Sequence, residues 1–136
     1  MALPNNRPLN IIRVFAHMAD SSTAGSAFTV APARGKIVKL GSVIDAAVTT
    51  ADTAITAKIN GTAITGGGWT IAFTSAAAGD VDTVIPSGAN TVNEDDKIEF
   101  ASDGGGSGTV PTTYLVTIAM QCIQVSEPVD FHYLYH

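Results

Sequence analysis

The feature that most constrains this fold is the dipeptide Asn60-Gly61, which separates two stretches of alternating apolar and polar residues. From Ile55 to Ile59 an apolar residue recurs at every second position, the period of a half-buried β-strand. Asn-Gly is a strong hairpin signal, because both central residues of a type I′ turn need positive φ. A two-residue loop places Thr62 opposite Ile59 and Ile64 opposite Ala57. The sequence therefore predicts a β-hairpin whose apolar side chains share one face.

The run that precedes the hairpin shows the same alternation from residue 35 onwards. Its apolar face is predicted to comprise Val38, Leu40, Ile44, Ala46 and Val48, with Lys39 and Asp45 on the opposite face. A polar bend follows at residues 49–52. This run is predicted to be a strand buried on one side.

Further short strands are predicted where alternation recurs between turn residues. Trp69, Ile71 and Phe73 alternate with small residues after three glycines, which predict a tight corner or a close backbone approach. The remaining strands are predicted at residues 9–18, 27–30, 81–85, 96–102 and 113–125. The first has apolar groups on both faces, so both faces could be covered, and the last is the longest and is therefore predicted to be central.

About eight short strands without a convincing amphipathic helix predict an all-β protein. The pattern favours an antiparallel β-sandwich, most simply an eight-stranded jelly roll. An immunoglobulin-like sandwich is the alternative, although its Cys-Trp-Cys spacing is absent. The predicted division is an N-terminal arm at 1–8, one sandwich domain at 9–125 and an aromatic C-terminal tail at 126–136.

The two terminal segments contain the candidate partner contacts. In the tail, aromatic residues recur at every second position, so they would line one face of an extended segment. Such a tail is expected either to fold back over its own sandwich or to dock on another chain. The residues expected to contact a partner are Pro4, Arg7, Phe131, Tyr133, Leu134 and Tyr135.

Charge and hydropathy exclude several function classes. Charged residues make up 14% of the chain, against about a quarter in ordinary globular domains. Such a bland surface favours burial against neighbouring subunits or a partner. The net charge is -5 and the seven basic residues form no stripe, which argues against nucleic-acid binding. No stretch approaches the length of a membrane span, and no apolar run at the N-terminus resembles a secretion signal, so cytoplasmic synthesis is expected.

Residues suited to catalysis are sparse, so we predict no enzyme activity, no cofactor and no catalytic residue. The histidines are His17, expected to be structural, and His132 and His136 near the end of the chain. Cys122 is interpreted as a small buried hydrophobe on the apolar face of the last strand.

Two weaker binding hypotheses arise from loops and aromatic residues. Carboxylates at one end of a sandwich could bind Ca²⁺, although solvated loops are favoured and no metal ligand is predicted. These carboxylates belong to Asp80, Asp82, Glu94, Asp95, Asp96 and Asp103. Trp69 with Tyr114 is the one pair that could stack on a sugar, although a core or rim position is favoured for Trp69.

Five segments rich in small and turn-forming residues carry a family resemblance. They are STAGS at 22–26, APARGKI at 31–37, TAIT at 62–65, AGDVD at 78–82 and GTV at 108–110. Over roughly residues 12–125 the chain resembles the small all-β head decoration, or cement, proteins of tailed bacteriophages. The resemblance implies a virion structural protein on the capsid exterior. Its implied partners are the major capsid protein, whose outer surface it would bind and stabilise, and further copies of itself in a homotrimer. The alternative is a carbohydrate- or receptor-binding sandwich of a phage fibre.

Overall fold

The computed structural model describes residues 10–120, which form β-strands in two antiparallel sheets and contain no helix. The strands are β1 Ile11–Met18, β2 Gly25–Val30, β3 Gly35–Ile44, β4 Thr53–Ile59, β5 Thr62–Ile71, β6 Val81–Val84, β7 Thr91–Val92, β8 Lys97–Ser102 and β9 Thr112–Met120. Sheet A has the order β1-β9-β3-β6, with β7 also paired to β3, and sheet B has the order β2-β8-β4-β5.

The strand pairs are nested along the chain. β1 pairs with β9, β2 with β8, β3 with β6 and β7, and β4 with β5. The described chain is thus one long hairpin rolled into two layers, which is the jelly-roll arrangement when β6 and β7 count as one interrupted strand. The predicted antiparallel β-sandwich is confirmed, and β9 lies between β1 and β3, in the central position predicted for it. Its nine described residues are fewer than the ten of β3 and of β5.

The tip of this long hairpin is the predicted turn. Asn60 and Gly61 have φ values of 49° and 88°, and Ile59 pairs with Thr62 as predicted. The Asn60 side chain donates from Nδ2 to Oδ1 of Asp96 at 3.0 Å and accepts the Lys97 N–H at 2.9 Å. The tip is therefore held to the loop before β8 as well as by its own geometry.

The predicted pairing of Ala57 with Ile64 is wrong. Thr56 pairs with Gly68 and Lys58 with Ala63, so residues 64–67 of β5 lie opposite a single residue of β4. Gly66 has φ 73°, and a Cβ on Gly67 would lie 2.7 Å from Cβ of Ile64, which confirms the close approach predicted for the glycines. The extra residues bring Thr65 into a bridge with Gly88, which joins the edges of the two sheets.

A second irregularity corrects the face predicted for β3. Between Ile37 and Lys39 the register against β9 shifts, as in a β-bulge. Ile37 is consequently buried and Val38 only partly buried, the reverse of the prediction. The strand also ends at Ile44, and Ala46 beyond it is partly buried. Leu40, Ile44 and Val48 are buried as predicted.

The core contains an aromatic cluster that joins the two sheets. The rings of Phe100, on β8, and Tyr114, on β9, stack with centroids 4.7 Å apart, and Trp69 meets both edge-on at 6.1 and 6.3 Å. Nε1 of Trp69 donates a hydrogen bond to Oγ of Ser42 at 2.9 Å. Phe73, predicted to share the face of Trp69, is 43% exposed because β5 ends before it, so that prediction is wrong.

Candidate interaction surface

The outer face of sheet A carries a row of neighbouring residues from all four main strands. Phe15 on β1 pairs with Leu115 on β9, which pairs with Gly41 on β3, which pairs with Thr83 on β6. Alternation directs these positions away from the core. The row therefore has apolar side chains, Phe15 and Leu115, towards the β1 edge and a glycine, Gly41, near its centre.

Gly41 forms the floor of a shallow depression of about 270 Å³ on this face. A Cβ at this position would lie 2.6 Å from the carbonyl oxygen of Asp82 and 2.9 Å from Cγ2 of Thr83, so glycine is required for β6 to pack closely. The apolar walls are provided by Phe15, Leu115 and Val81. The depression is therefore smaller than the roughly 300–1,000 Å³ of a pocket that encloses a drug-sized ligand, and it suits a side chain.

The charges beside the depression are positive. Arg13 and Lys39 line it and both pair with Thr117, on opposite sides of β9, whereas none of the lining residues is acidic. This local charge is opposite to the net charge of -5 on the whole chain. The surface is thus suited to an apolar group that is accompanied by a carboxylate.

The expectation that β1 could be covered on both sides is not met within residues 10–120. Ala16 and Met18 are buried on the inner face, but Phe15 is 55% exposed and Ile11 53% exposed on the outer face. Val81, across the same sheet, is 59% exposed. This group of exposed apolar side chains needs a covering element from outside the described range or from another molecule.

The outer face of sheet B differs in its chemistry. Oγ of Ser26 donates to Oε2 of Glu99 at 2.6 Å, and Nζ of Lys97 lies 5.4 Å from the ring centroid of Phe28. Lys58 pairs with Glu99 in the register of the sheet. Because polar and charged groups interact along this face, it is the weaker candidate for an apolar contact.

The first and last described residues, Asn10 and Met120, lie together at one end of sheet A. Ile11 pairs with Ala119, and the Met120 N–H donates to the carbonyl oxygen of Asn10 at 2.6 Å. The predicted contact residues lie beyond these two positions, outside the described range: Pro4, Arg7, Phe131, Tyr133, Leu134 and Tyr135. Cys122, His132 and His136 lie outside it as well. The structure thus places the described residue that follows the arm beside the last described residue of β9.

Two of the carboxylates considered for Ca²⁺ organise loops. Oδ2 of Asp96 accepts the Asn93 N–H at 2.8 Å, and this bond, followed by that from Asn60, holds the pKa of Asp96 below its usual value. Oδ1 of Asp103 accepts the Ala54 N–H at 3.0 Å. These oxygen atoms satisfy a backbone donor of the turn before β8 and one at the start of β4.

The other carboxylates form no metal site either. Oδ2 of Asp80 accepts the Ala77 N–H at 2.8 Å, while burial, and then the charge of Asp80, raises the pKa of Asp82. Glu94 and Asp95 are exposed. Within residues 10–120, no three His, Cys, Asp or Glu side chains lie together as metal ligands would. The arrangement gives the calcium hypothesis no support.

The aromatic pair considered for sugar stacking belongs to the core. Trp69 is 8% exposed and Tyr114 is fully buried. Burial raises the pKa of the Tyr114 phenol, whose hydroxyl lies 3.6 Å from Sδ of Met18. Neither ring offers a free face to a sugar. His17, on the outer face of β1, is exposed.

A polar cluster between the β1–β2 and β8–β9 loops was not predicted. The Asp20 carboxylate accepts hydrogen bonds from Ser22 N–H at 3.0 Å, Thr23 Oγ1 at 3.0 Å and Val110 N–H at 3.0 Å, and from the Ser22 hydroxyl. These hydrogen bonds lower the pKa of Asp20 to about 2, and the bond from the Ser22 hydroxyl has the largest effect. The local signal was present in the sequence Asp-Ser-Ser-Thr, since aspartate before serine and threonine favours such turns, but the bond to Val110 is not visible locally.

We expect Asp20→Asn to lower the melting temperature by a few degrees near neutral pH. The folded-state pKa of about 2 is below the ordinary 3.8, so the stabilisation by the carboxylate is complete above 3.8 and is lost as pH falls through about 2. The difference between wild type and variant should therefore shrink between pH 4 and pH 2. Melting curves at half-unit pH steps would measure it, and a constant difference down to pH 2 would contradict this assignment.

The described residues include no helix long and apolar enough to span a membrane. When the sequence is compared with models of known protein families and with curated proteins, nothing matches.

Proposed function

We propose that this protein is a capsid decoration protein of a tailed bacteriophage. It binds the outer surface of the major capsid shell as a homotrimer and stabilises the head. The proposal rests on the family resemblance in the sequence and on one structural observation. Asn10 and Met120, the described residues nearest to the arm and the tail, are hydrogen-bonded to each other at one end of the sandwich.

A body of this kind is suited to binding other protein chains. Its two sheets are packed around an aromatic cluster and present a rigid support, and β1, the strand that follows the arm, is paired with β9 along its whole length. In a homotrimer three arms can contact adjacent shell subunits at once, and such linked contacts strengthen one another. A protein that prefers the assembled shell stabilises it by its binding free energy.

The proposal assigns no chemistry to the chain. The partners are the major capsid protein and further copies of this chain, and neither a nucleic acid nor a membrane is involved. Pro4 and Arg7 in the arm are proposed to meet the shell, which places the protein on the virion exterior after synthesis in the host cytoplasm. The alternative, a carbohydrate- or receptor-binding fibre module, loses its nominated sugar platform because Trp69 and Tyr114 are buried.

The direct test is sedimentation with purified heads of the phage that encodes the protein. The full chain should sediment with the heads to saturation, and light scattering should give three times the 13.9 kDa of one chain. A variant without residues 1–8 should bind at least about tenfold more weakly while it keeps its melting temperature, a loss of about 1.4 kcal/mol.

A monomeric mass together with a failure to sediment would overturn the proposal. Specific binding on a glycan array would favour the fibre-module alternative instead. The double variant Lys58→Glu with Lys97→Glu, on the outer face of sheet B, serves as the control and should bind heads like the wild type.

A further inference from the structure

We propose that the aromatic tail, residues 126–136, folds back over the outer face of sheet A of its own chain and places an aromatic side chain in the depression above Gly41. This goes beyond the proposed function, because it concerns the isolated protein and requires no capsid. It assigns the tail to the body and leaves shell contact to the arm.

The depression needs an apolar occupant that brings negative charge. Its walls, Phe15, Leu115 and Val81, are apolar, and Phe15 and Val81 are more than half exposed within the described chain. Arg13 and Lys39 stand beside it, and no lining residue is acidic. An aromatic group flanked by a carboxylate would cover the apolar surface and pair with the cations.

The tail has this chemistry and the arm does not. The tail carries two carboxylates, Glu127 and Asp130, and no lysine or arginine. In an extended tail Glu127 lies on the same side as Phe131 and the two tyrosines. The arm contains Arg7, no carboxylate and no aromatic residue. Charge complementarity therefore selects the tail as the occupant.

The spacing of the tail also matches the sheet. In an extended tail, Phe131, Tyr133 and Tyr135 would point to one side and recur every two residues. The outward side chains of β1 have the same period, which brings Arg13 and Phe15 to one face. The tail can thus present one ring to each successive row of this face, with Arg13 placed to contact a tyrosine ring.

The length of chain beyond β9 permits this return. Leu115 and Thr117, which line the depression, lie five and three residues before Met120, or roughly 17 and 10 Å along the strand. The ten residues 121–130 can span up to about 33–36 Å, which is sufficient for the chain to leave the sheet and turn back. A tether this short gives the tail a local concentration on the order of millimolar, which favours its own face over that of a second copy.

The first test is limited chymotrypsin digestion of the full chain, followed by mass spectrometry of cleavage after Phe131 and Tyr133. The variant Arg13→Glu with Lys39→Glu should release the tail and accelerate this cleavage by about tenfold, because cleavage follows the population of the open form. The matched control, Lys58→Glu with Lys97→Glu, makes the same change in net charge on sheet B and should leave the rate unchanged. Equal rates in all three proteins would overturn the proposal.

The second test requires no substitution on the outer face of sheet A. A spin label at His136→Cys, in a Cys122→Ser background, should broaden the amide signals of Phe15, Lys39 and Leu115 and leave those of Phe28 and Thr56 sharp. Broadening that is absent, or equal on both sheets, would refute docking on sheet A. If unlabelled and spin-labelled chains are refolded together and the broadening passes to the unlabelled chain, the tail binds a second copy and the assignment to its own chain is wrong.

Discussion

Replacing Phe100 with alanine is expected to lower the free energy of unfolding by about 3–5 kcal/mol. The Phe100 ring is fully buried and stacks on Tyr114, with 4.7 Å between centroids. It also meets the edge of Trp69, so its loss removes contacts within sheet B and across to sheet A together. The cavity would be enclosed by rigid rings and could collapse only in part. For a domain of this size the melting temperature should fall by roughly 10–20 °C.

Phe28 provides the matched control for this prediction. It lies on the neighbouring strand β2, opposite Glu99, but its side chain points outward and is 53% exposed. Phe28→Ala should cost less than about 1 kcal/mol, most of it from the contact with Lys97. Chemical denaturation of both variants would measure the difference, and comparable losses would contradict the view that the aromatic cluster holds the two layers together.

Local signals in the sequence were sufficient where neighbouring residues determine the structure. The Asn60-Gly61 turn formed with the expected φ values, and Ile59 met Thr62. The strands predicted at 96–102 and 113–125 formed, and Phe100 and Tyr114 on them are fully buried, because a strand with one solvent-exposed face directs every second residue to the core. The sandwich class followed from many short strands and no helix.

The same reasoning failed where a distant part of the chain alters the register. Ile64 is not paired with Ala57 in regular register, because Thr65 is bridged to Gly88, a residue of the loop between β6 and β7. Ile37 is buried in the position predicted for Val38, because a bulge against β9 shifts the alternation of side chains along β3. A glycine run signals that a bulge is possible, but the partner that determines its size is not visible in the local pattern.

The candidate surface was only partly predictable for a related reason. Alternation in β1 puts Arg13 and Phe15 on one face and Ala16 and Met18 on the other, and this much can be read from the local sequence. The rest of the surface depends on the order of strands in sheet A, since β1, β9, β3 and β6 are not consecutive along the chain. This order brings to the same face Lys39, Gly41, Val81 and Leu115. Gly41 in particular shows its role only when β6 is seen against it. The contact residues of the arm and tail lie outside the described range and remain predictions.

Gly35→Ala is expected to destabilise the protein by about 3 kcal/mol, although it adds a single methyl group. The new Cβ would overlap the carbonyl oxygen of Ala119 and lie 2.9 Å from Cγ2 of Ile118, both on β9. Gly35 also pairs with Met120 on one side and Val92 on the other, so neither neighbouring strand can move away without loss of its ladder. The cost therefore comes from separation of β3 and β9 beside Met120.

The corresponding change at Gly25 isolates this steric effect. Gly25 begins β2 as Gly35 begins β3, but a Cβ there would meet nothing closer than the Thr23 carbonyl oxygen at 4.0 Å. Gly25→Ala should change the free energy of unfolding by less than about 1 kcal/mol, since the loss of glycine flexibility in the unfolded chain is the main effect. Urea denaturation would rank the two variants, and amide exchange should accelerate at Ile118 and Ala119 in Gly35→Ala alone. If both variants were equally stable, the close approach of β3 to β9 would not be the reason that position 35 requires glycine.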